Sequence, residues 1–201
     1  MDRPASSAPT VGTPPDLTPE ERTLLLDLAR ACVAAAAARL PAPDLPEEAI
    51  TPGLRAPRAA FVTLRDREGE LRGCIGHLDD TQPTWENVRT AARGAAVGDP
   101  RFYPVAPAEV SSLVIDVNVL GDAVDLPDPA AFDPVHHGVI VSRDGLRALL
   151  LPNVGPPLGW DARETLDAVC RKAGLPASAW RHPGTSIRVF ATTEFAEDRP
   201  T

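Results

Sequence analysis

The chain has 201 residues, of which 43% are hydrophobic and 24% charged, enough for one full hydrophobic core or for a large lobe carrying a smaller one. Its net charge of −8 disfavours non-specific binding to nucleic acid or to anionic membrane. The charge is uneven: residues 51–103 hold eight arginines against seven acids, so an anionic small ligand near that segment stays compatible with the composition while a polyanion spread over the surface does not.

The N-terminus shows no apolar run of the kind that marks a secretory signal, and the run Ala31–Ala38 is too short to span a bilayer. Three cysteines with no paired spacing point away from a disulfide framework and toward a reducing compartment. The chain is therefore expected to be soluble and cytoplasmic, with no membrane contact.

Residues 1–16 are polar and proline-rich and read as a disordered tail. The first helix is signposted by Thr18 as N-cap, Pro19 at the first position and Glu21 completing a capping box. Leu24, Leu25, Leu28, Cys32 and Val33 then give it an apolar face, and it should stop near Leu40. A proline-rich loop over 41–57 follows, with room for one short turn. Phe61–Leu64 and Leu71–Ile75 form a hairpin around Asp66-Arg67-Glu68-Gly69.

Thr84 is read as the cap of a helix running to about Val97, with Trp85, Val88, Ala91, Ala92 and Ala95 inward and Gly98 as the stop. Asp99-Pro100-Arg101-Phe102 makes a turn. Leu113–Leu120 alternates as a strand, and Gly138–Val141 and Leu146–Leu151 flank the turn Ser142-Arg143-Asp144-Gly145. Asp161 and Glu164 cap a helix ending at Gly174, and Ser186–Phe195 is a final strand. Hairpins separated by helices indicate an antiparallel α+β architecture.

Among residues that can carry chemistry, Cys32 and Cys170 fall on apolar helix faces and read as small core residues. Cys74 stands between Gly73 and Gly76, and glycines in a strand mark a bulge or a close backbone approach. With a period of two, Arg72, Cys74 and Gly76 share a face, and Arg72 lies about 6.6 Å along the strand from Cys74. A guanidinium beside a thiol favours the thiolate. The same pattern also describes a buried cysteine in a softened strand, and spacing leaves both readings open.

His77 follows Cys74 at Cys-x-x-His spacing, with Asp79 and Asp80 nearby, but no second half-site is spaced to complete a metal centre, so no metal is assigned. His137, just before a strand, is placed either to donate a proton or to hydrogen-bond a turn. Arg101 either clamps an anion or braces its turn through Asp99. Trp160 and Trp180 flank the last helix as core residues. No Gly-x-Ser-x-Gly, His-Glu-x-x-His or phosphate-loop pattern occurs.

The hexapeptide Leu71-Arg72-Gly73-Cys74-Ile75-Gly76 resembles the signature of the AMMECR domain family (protein A of the AmmeMemoRadiSam system). The resemblance continues through Phe61-Val62-Thr63-Leu64, Asp99-Pro100-Arg101-Phe102, His137-Gly138, Leu149-Leu150-Leu151-Pro152 and Lys172-Ala173-Gly174-Leu175, spanning about residues 20–197. His77 departs from the small hydroxyl residue expected after the signature. The resemblance implies a two-lobed domain over 17–198, the larger lobe drawn from both ends of the chain and a smaller lobe inserted from roughly 74–127, with the hexapeptide facing the seam.

It also implies a role beside Memo-like and radical SAM proteins in a modification pathway, with no cofactor assigned. On that basis Cys74 and His137 are the catalytic candidates, and Arg72, Gly73, Gly76 and Arg101 the binding candidates. The competing expectations are a non-catalytic adaptor that docks to those partners, in which Cys74 is packing, and, more distantly, an RNA-recognition protein.

Overall fold

The computed structural model describes residues 13–77, 81–152 and 154–198, and its first helix starts where the sequence placed it. Helix α1 spans Pro19–Ala37, with the Thr18 hydroxyl accepting from the Glu21 N–H and the Glu21 carboxylate accepting from the Thr18 N–H. Residues 41–57 are less irregular than expected. They contain a 3-10 turn at Glu47–Ala49 and a one-turn helix α2, Pro52–Arg55, capped by the Thr51 hydroxyl. Strands β1 (Ala60–Arg65) and β2 (Leu71–His77) form the anticipated hairpin, Thr63 opposite Cys74 and Leu64 opposite Gly73.

Helix α3 covers Thr84–Val97 and buries Val88, Ala91, Ala92, Ala95 and Ala96. Thr84 is its first residue rather than its cap, because its hydroxyl is committed to the Ala56 carbonyl at 2.8 Å. Strand β3, Val114–Leu120, is buried on both faces, its polar residues included. A short β4 (Val124–Asp125) has no counterpart among the elements expected from sequence, since two residues carry no period.

Strands β5 (Gly138–Arg143) and β6 (Leu146–Leu150) meet across a two-residue turn in which Asp144 (φ 51°) and Gly145 (φ 80°) are left-handed, the conformation that matches hairpin twist. Helix α4, Ala162–Lys172, carries the second capping box and ends at Gly174 with φ 78°. The expected final strand is two strands, β7 (Ser186–Phe190) and β8 (Thr192–Ala196), broken at Ala191. Pairing explains the break: β7 joins the sheet β4-β7-β5-β6, whereas β8 joins β2-β1-β3-β8.

Two compact units result. One comprises residues 15–120 with the C-terminal segment from 193, the other residues 121–192. The inserted unit is thus drawn from 121–192, not from roughly 74–127. The physical reason is that β2 hydrogen-bonds to β1 and both pack under α3, so the residues from 74 onward cannot leave that sheet.

The core of the first unit joins Leu25, Leu28, Cys32 and Val33 of α1 to Val62, Leu64, Ile115, Val117 and Val119 of the sheet and to α3. Its C-terminal strand is tied in by Arg30, which pairs with Glu197 and donates to the Val110 and Leu113 carbonyls at 2.9 and 2.8 Å. The second unit packs α4 through Leu166, Val169 and Cys170 on Val139, Val141 and Val189.

Candidate functional site

Strand β2 gives one face to the core and one to the site. On the core face, Gly73 passes so close to α3 that a Cβ there would lie 2.2 Å from the Ala95 carbonyl oxygen. On the other face a Cβ at Gly76 would lie 2.1 Å from the Phe61 ring. The two glycines that frame Cys74 are therefore both required by packing, one on each side of the sheet.

Between them Cys74 is half-buried, whereas Cys32 and Cys170 are fully buried. Burial pushes the Cys32 thiol up to about 11 and raises that of Cys170 as well. At Cys74 the sulfur accepts from the hydroxyl of Thr63, directly opposite on β1, at 3.4 Å.

The peptide of Cys74 is held by the turn after α3. Its N–H donates to Asp99 Oδ2 at 2.9 Å, and its carbonyl accepts from Arg101 Nη2 at 3.4 Å. Arg101 in turn grips Asp99 with both Nε (2.9 Å to Oδ1) and Nη2 (2.6 Å to Oδ2), and its own backbone N–H reaches Oδ1 at 3.1 Å. The Asp99 side chain is 2% exposed. Its carboxyl is held well below the usual carboxylate range by the Arg101 guanidinium first, then by the backbone N–H groups of Cys74 and Arg101, against the opposing effect of burial.

Of the two roles open to Arg101, the structure shows the brace. Asp99→Ala should cost roughly 3 kcal/mol, the low end for breaking a buried pair, because the Arg101 side chain is half exposed and regains solvation. A urea titration at pH 7 checks this, and a change below about 1 kcal/mol would mean the bracket is ornamental.

Arg72, expected beside the thiol, reaches elsewhere. Its guanidinium pairs with Glu109 (Nε–Oε1 3.0 Å, Nη2–Oε2 3.3 Å) and donates to the Tyr103 carbonyl at 2.9 Å, fastening β2 to the loop before β3. The arginine-rich middle of the chain is to this extent a set of ion pairs, with Arg72 on Glu109 and Arg101 on Asp99. His137 belongs to the other unit. There its N–H donates to the Asp133 carbonyl at 2.9 Å, its buried Nδ1 has no hydrogen-bond partner among the described residues, and burial lowers its pKa. The His77 side chain, Asp79 and Asp80 lie outside the described residues.

Spacing did not single out the row that crosses the sheet on the Cys74 face. Thr63 pairs with Cys74 on one side and with Asp116 of β3 on the other, and Asn118 follows two residues along β3 opposite Phe61. Asp116 and Asn118 are buried at 8% and 2% exposure, and the Oδ1 atom of each lacks a hydrogen-bond partner among the described residues. The signal was present in the alternation of Asp116 and Asn118 within an apolar strand. A polar face reads as solvent-facing by default, and nothing local says it will be buried.

The AMMECR1 family profile matches residues 26–195. The chain is 40% identical over 166 residues to a protein of Methanothermobacter thermautotrophicus, covering 80% of this chain and 83% of that one. It is 37% identical to a protein of Thermofilum pendens, covering 92% and 93%. The crystal structure of the uncharacterized protein PH0010 from Pyrococcus horikoshii superposes with a TM-score of 0.83 at 33% identity, covering 88% of this chain and 91% of that one. The two-sheet α+β fold and this match over most of the chain make the protein a member of the AMMECR1 family.

Proposed function

We propose that the protein is a thiol-dependent enzyme or enzyme subunit in which the Cys74 sulfur attacks, or transiently carries, an electrophilic group of its substrate. The observation that carries this reading is the contrast among the three thiols. Cys32 and Cys170 are sealed in cores, while Cys74 is half-exposed with its peptide clamped from both ends and a hydroxyl donor at its sulfur. A nucleophile gains from such clamping because its position is fixed before the substrate arrives. A hydroxyl donating to sulfur stabilises the negative charge that the attacking form bears.

The competing adaptor reading needed the glycines as a landing place for a partner's backbone, and Ala95 and Phe61 already fill those places. The reading rests on the unit built from residues 15–120 alone and assigns no step to His137. Its extension to a modification pathway shared with Memo-like and radical SAM proteins is supported by the sequence resemblance.

Iodoacetamide across a pH series tests it. The native protein should take up one adduct, at Cys74, faster than a free cysteine peptide at the same pH, and Cys74→Ser should take up none until unfolded. A Cys74 that reacts no faster than the peptide removes the nucleophile from the proposal. Memo-like and radical SAM partners provide the second arm: Cys74→Ser should bind them as wild type does while the pathway product disappears, and full output from that variant would leave the adaptor reading standing.

A further inference from the structure

The C-terminal ends of α1 and α3 and the loop before β3 enclose a groove of about 820 Å³. Apart from Arg39 and Arg93, every described side chain along it is alanine, valine, leucine or proline. Both arginines are exposed, and neither guanidinium has an ion pair or a hydrogen bond among the described residues. Other arginines of this unit differ. Arg89, one turn before Arg93 on α3, pairs with Asp44 at 3.0 Å, while Arg30, Arg72 and Arg101 pair with Glu197, Glu109 and Asp99.

Arg39 also occupies an unusual position. Helix α1 ends with the Leu40 N–H on the Ala35 carbonyl at 2.8 Å and the Arg39 N–H on the Ala36 carbonyl at 3.0 Å, which sets Arg39 left-handed at φ 58°. Glycine fills that position most easily. Keeping arginine there is unfavourable for the turn and points to a use for its side chain.

The groove has no main-chain donor to give. Pro41, Pro104 and Pro107 lack an N–H, Val105 donates to the Ala96 carbonyl at 2.8 Å, and Ala106 donates to the Glu109 carboxylate at 2.7 Å. The Ala38 N–H returns to α1, and the remaining lining residues lie within the two helices. What the groove offers is therefore two guanidiniums, which only donate, set in apolar surface. In a chain of net charge −8 this is a local positive spot, and its complement combines carboxylates with apolar groups.

Its sides stand before any partner arrives. Arg72 holds the Tyr103 carbonyl from β2, and Arg89 holds the Pro43 carbonyl at 2.9 Å beyond Pro41. Apolar surface runs past the groove, since Leu40 is 58% exposed and Tyr103, next to Pro104, is 90% exposed. A small acid would leave that surface uncovered, whereas a segment of protein would cover it.

We propose that the groove docks an extended segment of a partner protein in which acidic side chains alternate with apolar ones. Arg39 and Arg93 bind two of its carboxylates, and its apolar side chains lie over Leu40 and Val97. These docking residues lie outside the Cys74 clamp, so the groove stands or falls apart from the thiol reading.

Fluorescein-labelled hexapeptides, read by anisotropy on the full chain, test this. A peptide alternating Leu and Glu should bind, and replacing Glu by Lys, or Leu by Ser, should weaken binding at least about 10-fold. Arg93→Ala and Arg39→Gly should each weaken the Leu-Glu peptide at least about 5-fold. Arg39→Gly should nevertheless melt no lower than wild type, because glycine suits the left-handed position, and this separates docking from a structural role. Arg67→Ala, which removes an exposed arginine of the β1–β2 turn, should leave binding unchanged.

A Leu-Glu peptide that fails to bind wild type overturns the proposal, as does equal binding of the Ser-Glu peptide or an equal loss in Arg67→Ala. Octanoate that displaces the labelled peptide at a lower concentration than unlabelled peptide does would make the occupant a small acid. A wild-type dimer dispersed by Arg93→Ala would make it a second copy of this chain. Either result overturns the partner segment.

Discussion

Gly73→Ala should destabilise the protein by about 3 kcal/mol, the upper end for forcing a methyl group into a packed interior. The added Cβ would sit 2.2 Å from the carbonyl oxygen of Ala95, which belongs to a helix backbone and cannot turn aside. Helix α3 also bears on β2 through Gly94, where a Cβ would meet Ile75 at 2.8 Å, so helix and strand are close along more than one residue. Relief requires α3 to lift from the sheet, opening the core around Ala91, Ala92 and Ala95.

Urea unfolding measures the effect, and the contrast with Gly76→Ala gives it meaning. At Gly76 the obstacle is the Phe61 ring, a side chain that can rotate, so the cost there should be smaller and should shrink further in a Phe61→Leu background. Equal costs at the two glycines would contradict this account. Because the Cys74 N–H bond to Asp99 depends on where α3 delivers its C-terminal turn, Gly73→Ala should also slow alkylation of Cys74 while the protein remains folded.

Asp116→Asn should stabilise the folded protein at neutral pH by about 2 kcal/mol. Burial first, and then the neighbouring Glu194, push the Asp116 carboxyl up to about 6, against the attraction of Arg65. A folded-state value above the unfolded one means that the native protein holds this proton more tightly. The contribution of Asp116 to stability is therefore fully present below about pH 4, declines as pH rises toward 6, and is lost above it. A shift from 3.8 to about 6, the pull of Arg65 included, corresponds to roughly 3 kcal/mol, and the variant recovers about 2 of it because the new amide must itself find partners at a buried position.

His137 acts with the opposite sign in an overlapping window. Its value is lowered by burial, so its contribution is lost as pH falls below about 6.5. Asp99, Glu109 and Asp133, all lowered, lose their contributions only at still lower pH. The informative quantity is then the difference between variant and wild type, measured at pH 5 and pH 7.5 by urea titration. The variant should gain more at pH 7.5 than at pH 5. A variant less stable than wild type at pH 7.5 would mean that the attraction of Arg65 outweighs the cost of burying the Asp116 charge.

Local chemistry written in a few consecutive residues is legible in the sequence itself. The capping boxes at Thr18 and Glu21 and at Asp161 and Glu164 set both helix starts, because each needs only groups three residues apart. The left-handed pair Asp144 and Gly145 set the second hairpin in the same way. The proposal that Cys74 is the working residue starts from local facts as well, its two glycines and the period of the strand.

Where sequence and structure diverge, the deciding partner is distant along the chain. Ser186–Phe195 reads as one strand, and the break at Ala191 exists because its two halves pair in different sheets. Arg72 reads as a neighbour of the thiol, and Glu109, 37 residues away, takes its guanidinium instead. The framing glycines read as openings for a ligand, and Ala95 and Phe61 fill them. Asp116 and Asn118 appear in the sequence only as the polar members of an alternating strand, and the structure buries both.

The sequence alone determined the α+β class and the family, because periodicity, caps and turns act between near neighbours. Tertiary structure alone decided what surrounds Cys74. The groups that clamp it, Asp99 and Arg101, and the acidic row beside it, reach it across strand pairings and helix packing that no spacing along the chain encodes.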